Sequence, residues 1–387
     1  MAENSYDYII AGGGLAGLSL AFYLNRSRLK DKKILIIDRD AKSENDHTWC
    51  FWQKGKSPFD EIVFHRWKTL WFHGTENFSK LLDFSDYEYK MIRAIDFYAF
   101  IRRELNQNRN ITFLQSEIQS VNLEKAVVAT KSGEFIAREY VFDSFTRKNY
   151  DNPKYQNLWQ HFLGWTIETE ENTFVPDKAT LFDFRVEQKE ECRFIYILPF
   201  SAKKALLEFT IFSDNILEKS EYEFYLKEYI SGVLKTKNYR ILEIESGVIP
   251  MSDEHHTQMP SPKVVRIGTA GGYVKPSTGY SFARTQKYLQ KLVANLEVRH
   301  PKLILEQSFW KIYLDSVLLN VLRTKKHSAA NVFTQLFKRN ETTQVLKFLD
   351  EETNLAEDFR IMQSVPLAPF MKAAIQEAAK FPRATEN

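Results

Sequence analysis

Hydrophobic and polar positions alternate in three ways along this chain, and each way predicts different structure. The first forty residues carry two short continuous apolar runs, Tyr6-Asp7-Tyr8-Ile9-Ile10-Ala11 and Ile34-Leu35-Ile36-Ile37. Such runs predict buried strands. Between them Gly12-Gly13-Gly14-Leu15-Ala16-Gly17 leads into a helix over Leu18 to Leu24. Strand, glycine turn, helix and strand follow one another, and the second strand ends on Asp38. Residues 62–90 alternate apolar with polar, as in Leu70-Trp71-Phe72-His73 and Tyr87-Glu88-Tyr89-Lys90, which predicts antiparallel strands. A helix is expected over Phe97 to Leu105 with Asp96 as its N-cap, then a strand over Ile111 to Leu114. A small hairpin is expected around Ser132-Gly133, with Val121 to Thr130 and Glu134 to Ile136 as its arms. Tyr140 to Ser144 reads as a further strand.

From 155 to 250 the pattern changes to strand-like runs: Gly164 to Thr169, Ala179 to Phe184, Phe194 to Pro199 and Ala205 to Phe212. An amphipathic helix over Glu221 to Leu234 and a strand over Ile241 to Pro250 close this region. Val264 to Ile267 is a strand that runs into a second glycine turn, and Ser281 to Leu296 reads as a helix. The remainder is helical. Strands alternating with helices, then a block of antiparallel strands, then helices, predict an α/β fold with α+β inserts. The expected division is a discontinuous α/β domain built on the two glycine turns, 1–150 plus 262–300, an antiparallel domain, 151–261, and a helical region, 301–387.

The first glycine turn carries specific chemistry. Gly12, Gly14 and Gly17 form G-x-G-x-x-G, and Asp38 lies 21 residues beyond Gly17. The first glycine permits a tight turn, the second lets backbone approach a pyrophosphate, and the third lets the helix pack on the sheet. Gly13, Leu15 and Ala16 bring their N–H groups to the helix N-terminus, where an anion is favoured. Asp38 suits a ribose hydroxyl. Tyr8 to Leu24 is uncharged, but with four glycines it is a poor signal sequence or membrane span. The motif leaves NAD and FAD open; its position near the N-terminus favours FAD. The late turn, with Gly268, Gly271, Gly272, Thr278 and Gly279, is expected at the flavin and ribityl end and strengthens that choice. Arg93 is a modest candidate for the pyrophosphate.

Composition narrows the function class. The 387 residues carry a net charge of only +3 and no nucleic-acid motif, so nucleic acid is not an expected partner. Two cysteines, Cys50 and Cys192, have neither metal-like nor disulfide-like spacing, and no metal is expected. Thirty Phe, 18 Tyr and 7 Trp are read first as core, and secondarily as side chains that can line a pocket for a long apolar ligand. Asn45-Asp46-His47-Thr48-Trp49 is an unusual cluster. His47 could serve as a general base, but its setting favours a wall of the cavity. Glu208 sits among Leu206, Leu207, Phe209 and Ile211. It points either to solvent or into a cavity, and in the second case burial would raise its pKa and let it hold a proton near neutral pH. Leu303 to Leu322, followed by Arg323, Lys325, Lys326 and His327, is either an amphipathic helix at an anionic membrane or a core helix with a basic end, the latter slightly favoured.

Together these residues resemble the bacterial flavoprotein-type lycopene cyclases. The glycine turn with Asp38, the Asn45–Trp49 cluster, the run from Gly268 to Pro276-Ser277-Thr278-Gly279-Tyr280, and Leu207-Glu208-Phe209-Thr210 carry the resemblance. It implies a Rossmann-like FAD domain of the flavin-monooxygenase and glutathione-reductase type, with an antiparallel substrate sheet and C-terminal helices. It implies redox-neutral cyclisation of the ψ-ends of lycopene, or another linear carotene, to β-ionone rings. Reduced FAD would be the active form and NAD(P)H its reductant. The protein would lie peripherally on the cytoplasmic side of the inner membrane, in an oligomeric state the sequence leaves open. Glu208 maps to the catalytic glutamate, with His47, Trp49 and Tyr280 at the substrate cavity. Phe209 stands where many members carry a second acid. Phe348-Leu349-Asp350-Glu351-Glu352-Thr353 resembles the acidic motif in letters, but its place in the tail predicts a solvated turn. The alternatives are an FAD-dependent monooxygenase or isoprenoid reductase on the same scaffold, or a non-catalytic flavin- or lipid-binding protein.

Overall fold

Ser5–Ala11 occupies the centre of a seven-stranded sheet in a computed structural model that describes residues 4–298, 303–304, 306–378 and 380. Parallel strands Ile111–Gln115 and Ile34–Asp38 lie on one side of it and the long strand Gly133–Asp143 on the other. Val264–Arg266 extends the parallel set by pairing with Val141–Asp143. Helices Leu15–Asn25, Ala94–Leu105 and Phe282–Leu296 pack on the face of Tyr8, Ile10, Ile34 and Ile36, and Ile118, Val128 and Phe135 of the antiparallel strands cover Ile9, Ala11, Leu35 and Ile37, so the central strands are buried on both faces. That double cover is why their sequences read as unbroken apolar runs. The Gln286 amide donates to Ser19 Oγ at 2.9 Å, tying the first helix to the late one.

Two local expectations are corrected here. The hairpin arm Glu134–Ile136 and the further strand expected from Tyr140 are not separate but run together in Gly133–Asp143, with Ser144 just beyond its end. Its first half pairs antiparallel with Val127–Thr130, and its second half is parallel to Ser5–Ala11. The helix expected from Phe97 starts at Ala94, with Arg93 as N-cap. Asp96 therefore lies in the first turn and takes the Arg93 guanidinium at 2.7 and 2.9 Å instead of capping.

The second sheet orders Tyr239–Ser252, Asn157–Thr169, Lys204–Ser213, Cys192–Pro199, Lys178–Asp183, Thr69–His73 and Ser79–Asp83. All neighbours are antiparallel except Thr69–His73 against Lys178–Asp183. The stretch 62–90, expected within the FAD-binding domain, is thus shared. Two of its strands join this sheet, while His65–Trp67 and Tyr87–Arg93 form a three-stranded sheet with Thr48–Lys54. Helix Lys219–Gly232 covers one face of the large sheet through Tyr222, Tyr225, Leu226, Tyr229 and Ile230. Ala205, Leu207, Phe209 and Ile211 pack on that helix. By the period of two, Leu206, Glu208, Thr210 and Phe212 face the other way, and Leu206 and Phe212 join the core that includes the C-terminal helices.

Helices Phe309–Arg323, Ala329–Arg339, Thr342–Leu349, Leu355–Met362 and Leu367–Ala378 complete the chain. Phe309–Arg323 is a core helix. It buries Val317, Leu319, Val321 and even Lys311, Asp315 and Asn320. Lys275 pairs with Asp315 at 2.9 Å, and Lys311 pairs with Asp358 at 2.7 Å. Its basic end is also engaged, Arg323 with Gln156 and Lys326 with Gln376. Residues 306–308 lie outside the helix, contrary to the run expected from Leu303. Among the described residues no helix is long and apolar enough to cross a membrane.

Candidate active site

The nucleotide cradle follows from backbone sterics. Gly12 has φ +110°, and a Cβ there would lie 2.4 Å from Ser144 Oγ. A Cβ on Gly17 would lie 1.9 Å from the carbonyl oxygen of Gly12. Gly14 differs, because a Cβ there would meet nothing within 4 Å. Its openness faces a cleft of about 340 Å³ lined also by Leu15, Ala16, Lys42 and Ser144. Gly14 is the N-cap of helix Leu15–Asn25, without a side-chain cap and without an acid in the first turn. An anion is the natural partner of such a terminus. Gly13 N–H donates to Asp38 Oδ2 at 2.7 Å, and Asp40 N–H donates to Oδ1 at 2.9 Å. A smaller hollow beside Asp38 is bounded by Asp40, Lys42, Arg102 and Gln115 and suits the adenosine end.

The second glycine turn meets the first. Gly268 has φ +61°, and a Cβ there would stand 2.9 Å from the Ala16 Cβ. Gly268, Thr269, Val274 and Gly279 line the same cleft as Gly14. Gly271 packs against the Arg266 carbonyl, and Gly272 against His256. The cradle, with its open second glycine and uncapped helix, fits an FAD pyrophosphate, and the long cleft continues towards Gly279 for the remainder.

Beyond Gly279 the cleft joins a second cavity of about 100 Å³. Thr48, Trp49, Phe162, Ile249, Gly279 and Ser281 line both. Glu208, Cys50, Tyr89, Tyr196 and Tyr280 line the second alone of the two. The reading in which Glu208 faces a cavity is therefore the observed one. Thr210 donates its hydroxyl to Glu208 Oε1 at 2.6 Å. Burial, and then the nearby Glu245 carboxyl, push Glu208 up to about 8. Burial likewise drives the thiol of Cys50 and the phenols of Tyr89 and Tyr196 upward, and Tyr280 up to about 12. All four stay neutral. Tyr280 packs edge-on to Trp52 at 4.7 Å.

Phe209 faces the opposite side of the sheet, its ring 4.9 Å from that of Tyr225. A carboxyl at 209 would enter the helix-covered core and not the cavity. His47 is exposed, with Nδ1 3.2 Å from Asp46 Oδ1 and its ring stacked near Trp49. It lines the outer cleft, and Trp49 lies where cleft and cavity join. Arg93 is held by Asp96 and lies over the Phe64 ring; it is not among the residues lining the cleft. Phe348–Thr353 is not a solvated turn. Glu351 binds Lys275 at 3.0 Å and Arg284 at 2.6 Å. Burial would raise its pKa, but Lys275 and Arg284 outweigh that and hold it at about 2. Trp52 Nε1–H donates to Asp350 Oδ2 at 2.6 Å. This knot lines a separate, charged cleft on the far side of Tyr280 and does not contain Glu208. The sequence reading did not pick out Glu245, Tyr89, Tyr196, Gln160, Phe162 and Ser144. Mid-strand Gly164 and Gly247, which mark close approach in a sheet, were the available signal.

A sequence model described as "Lycopene cyclase protein" matches residues 7–375. The chain belongs to the lycopene cyclase family. A lycopene beta-cyclase of Pseudescherichia vulneris is 27% identical over 289 residues, 71% of this chain and 70% of that protein. One from Pantoea ananas is 25% identical, covering 72% of each. Among solved structures, a flavoprotein/dehydrogenase from Cytophaga hutchinsonii superposes with TM-score 0.60 at 11% identity, over 97% of this chain and 100% of that one. A geranylgeranyl bacteriochlorophyll reductase-like protein from Thermoplasma acidophilum gives 0.54 at 15% identity, over 98% and 97%. The fold is thus a Rossmann-like one shared with flavoenzymes.

Proposed function

We propose that the protein is a lycopene beta-cyclase that binds FAD in the Gly12–Gly17 cradle and closes β-ionone rings at Glu208. The observation that carries this reading is the continuity of a phosphate-fitting cleft with a tyrosine-walled cavity holding a carboxyl shifted to about 8. A carboxyl that keeps its proton at neutral pH can act as a general acid. The Glu208 O–H bond breaks as the proton adds to C2 of the terminal C1=C2 bond, leaving a tertiary cation at C1. The C5=C6 pair forms the C1–C6 bond and moves the charge to C5. Loss of the C6 proton to the Glu208 carboxylate restores C5=C6, so the substrate is isomerised with no net redox change.

The aromatic side chains exclude water from the cation, and their faces stabilise it. Gly14, Gly13, Asp38, Gly268 and Gly279 would hold FAD. When bound and two-electron reduced, FAD supplies an electron-rich, anionic ring system that favours a nearby cation. NAD(P)H is the proposed reductant. The substrate dissolves in lipid, and the proposed place of work is the cytoplasmic face of the inner membrane. Phe309, Leu355, Phe359, Leu367, Met371 and Ile375 expose large apolar side chains on the C-terminal helices and suit peripheral contact.

The test uses flavin-loaded protein, NADPH and lycopene in phospholipid vesicles. Ring closure is expected with no oxygen uptake, no stoichiometric loss of NADPH, and co-flotation of protein with vesicles. Glu208→Gln should retain FAD and lose at least about a hundredfold in rate, as expected for removal of a general acid. Normal cyclisation by that variant would sink the assignment, and NADPH consumed in step with substrate would indicate a reductase or hydroxylase instead.

A further inference from the structure

Lys204–Ser213, Asn157–Thr169 and Tyr239–Ser252 are three adjacent strands, and their register sets Glu208, Gly164 and Glu245 side by side in one row. Directly opposed residues in antiparallel strands share a face. Glu245 therefore shares the cavity face with Glu208, and only a glycine separates them. The space that a side chain at 164 would fill is taken by Glu245. A Cβ there would lie 3.1 Å from Glu245 Cγ and 3.3 Å from Oε1.

The Glu245 carboxyl has one satisfied oxygen. Oε2 accepts from the Thr48 hydroxyl at 2.7 Å, whereas Oε1 is buried without a hydrogen-bond partner. Among the described residues no Lys or Arg forms an ion pair with Glu208 or Glu245. The titratable groups facing Glu208 are Glu245, Cys50, Tyr196 and Tyr280, with Tyr89 behind Cys50. Those facing Glu245 are Glu208, Cys50, Glu243 and His47. Burial raises the Glu245 pKa, as it does that of Glu208. Two carboxylates in one row of the sheet, with neither Lys nor Arg paired to them, each disfavour the ionised form of the other. They titrate as a pair.

We propose that Glu245 is the second carboxylate of a proton-sharing pair with Glu208, and that it positions and retains the proton used in ring closure. The proposal takes its chemistry from the cyclase reading. Glu245 lines the nucleotide cleft and Glu208 lines the substrate cavity, so the pair spans the junction of the two. Before transfer the pair carries one proton and one negative charge. After transfer both groups are carboxylates facing the cation, and the C6 proton restores the starting state. Phe209 needs no replacement by an acid, since the partner comes from the strand beyond Gly164.

The test compares flavin-loaded wild type with Glu245→Gln, Glu245→Asp and Glu208→Gln. Infrared titration of protonated carboxyl groups is the readout that needs no turnover. In Glu245→Gln the Glu208 titration should fall by roughly one pH unit or more, because a like charge has gone. The alkaline limb of the ring-closure profile should fall with it, and Glu245→Asp should restore both in part. In Glu208→Gln, which leaves Glu245 alone, the remaining carboxyl should also titrate lower than the pair. Two independent titrations, each unmoved by substitution of the other, would overturn the proposal even if one variant folds poorly. A titration that moves in a protein that closes no ring would support the pair while removing the cyclase reading. One that stays fixed in an active cyclase would overturn the pair alone.

Discussion

The nucleotide cradle and the Glu208 cavity lie end to end yet are built by opposite means. The cradle is mostly local: six consecutive residues, a helix start and one acid form it, and a positive φ at Gly12 and a backbone clash at Gly17 require glycine there. The cavity is assembled from Thr48–Cys50, Tyr89, Gln160, Phe162, Tyr196, Glu208, Ile249 and Thr278–Phe282, drawn from across the chain. Its chemistry hangs on sheet register. A slip of one residue in Lys204–Ser213 would turn Glu208 into the helix-covered core and present Phe209 or Leu207 to the cavity. The cradle can therefore fail by sterics at one atom, whereas the cavity fails through its neighbours.

The sharpest way to break the cradle is Gly17→Val. The new Cβ would meet the Gly12 carbonyl, a backbone atom that cannot move without unmaking the turn. A destabilisation of about 3 kcal/mol or more is expected, with loss of bound flavin, read by thermal unfolding and by flavin absorbance. Wild-type Tm and full loading would contradict the close packing described here. Gly14→Ala separates ligand fit from folding. A Cβ at 14 meets no protein atom, and φ there is −84°, which alanine adopts freely. The entropy gain of Gly→Ala and the weaker N-cap of alanine nearly cancel, so stability should stay within about 0.5 kcal/mol. FAD affinity should nevertheless fall about tenfold, near 1.4 kcal/mol, because the methyl occupies the approach proposed for the pyrophosphate. Unchanged affinity by equilibrium dialysis would place the pyrophosphate elsewhere.

This difference in construction also governs what could be read from the sequence. Gly12, Gly14, Gly17 and Asp38 were legible because their spacing along the chain is their geometry. The strands and the helix Phe282–Leu296 were legible from periodicity. Glu208 was recognisable as a candidate, but its direction was not, since period two alone leaves the buried side undecided. Only the docking of helix Lys219–Gly232 against Leu207 and Phe209 settles it. Glu245 was invisible for a further reason. Its significance comes from Gly164 on another strand, and register between strands is not written in either one. The same holds for the assignment of Thr69–His73 to the second sheet, which depends on a parallel pairing with Lys178–Asp183. In the tail, Asp350-Glu351-Glu352 looks solvated as a charge run; Lys275 and Arg284, brought from the second glycine turn and its helix, change that.

The tail knot gives the smallest and most local test of how the cavity is supported. Asp350 accepts from Trp52, and Trp52 packs against Tyr280 in the cavity wall. Burial, and then Glu352, push the Asp350 carboxyl from an ordinary 3.8 up to about 7, with the Trp52 bond and Lys287 opposing. A group with a raised folded pKa holds its proton in the fold after the unfolded chain has released it. Stability therefore declines as pH rises from about 4 to about 7 and then levels off. Asparagine keeps an acceptor for Trp52 and does not titrate. Asp350→Asn should match wild type in Tm near pH 4 and gain with rising pH. At pH 8 the gain should be about 2 °C, with the energy discounted because part of the group faces an open cleft. Ring closure should change by less than about threefold, since the Trp52–Tyr280 contact survives. A Tm difference that stays flat from pH 4 to 8 would mean that Asp350 is already ionised in the fold. The cavity wall would then rest on an ion pair with Lys287 or Lys275 rather than on a neutral hydrogen bond.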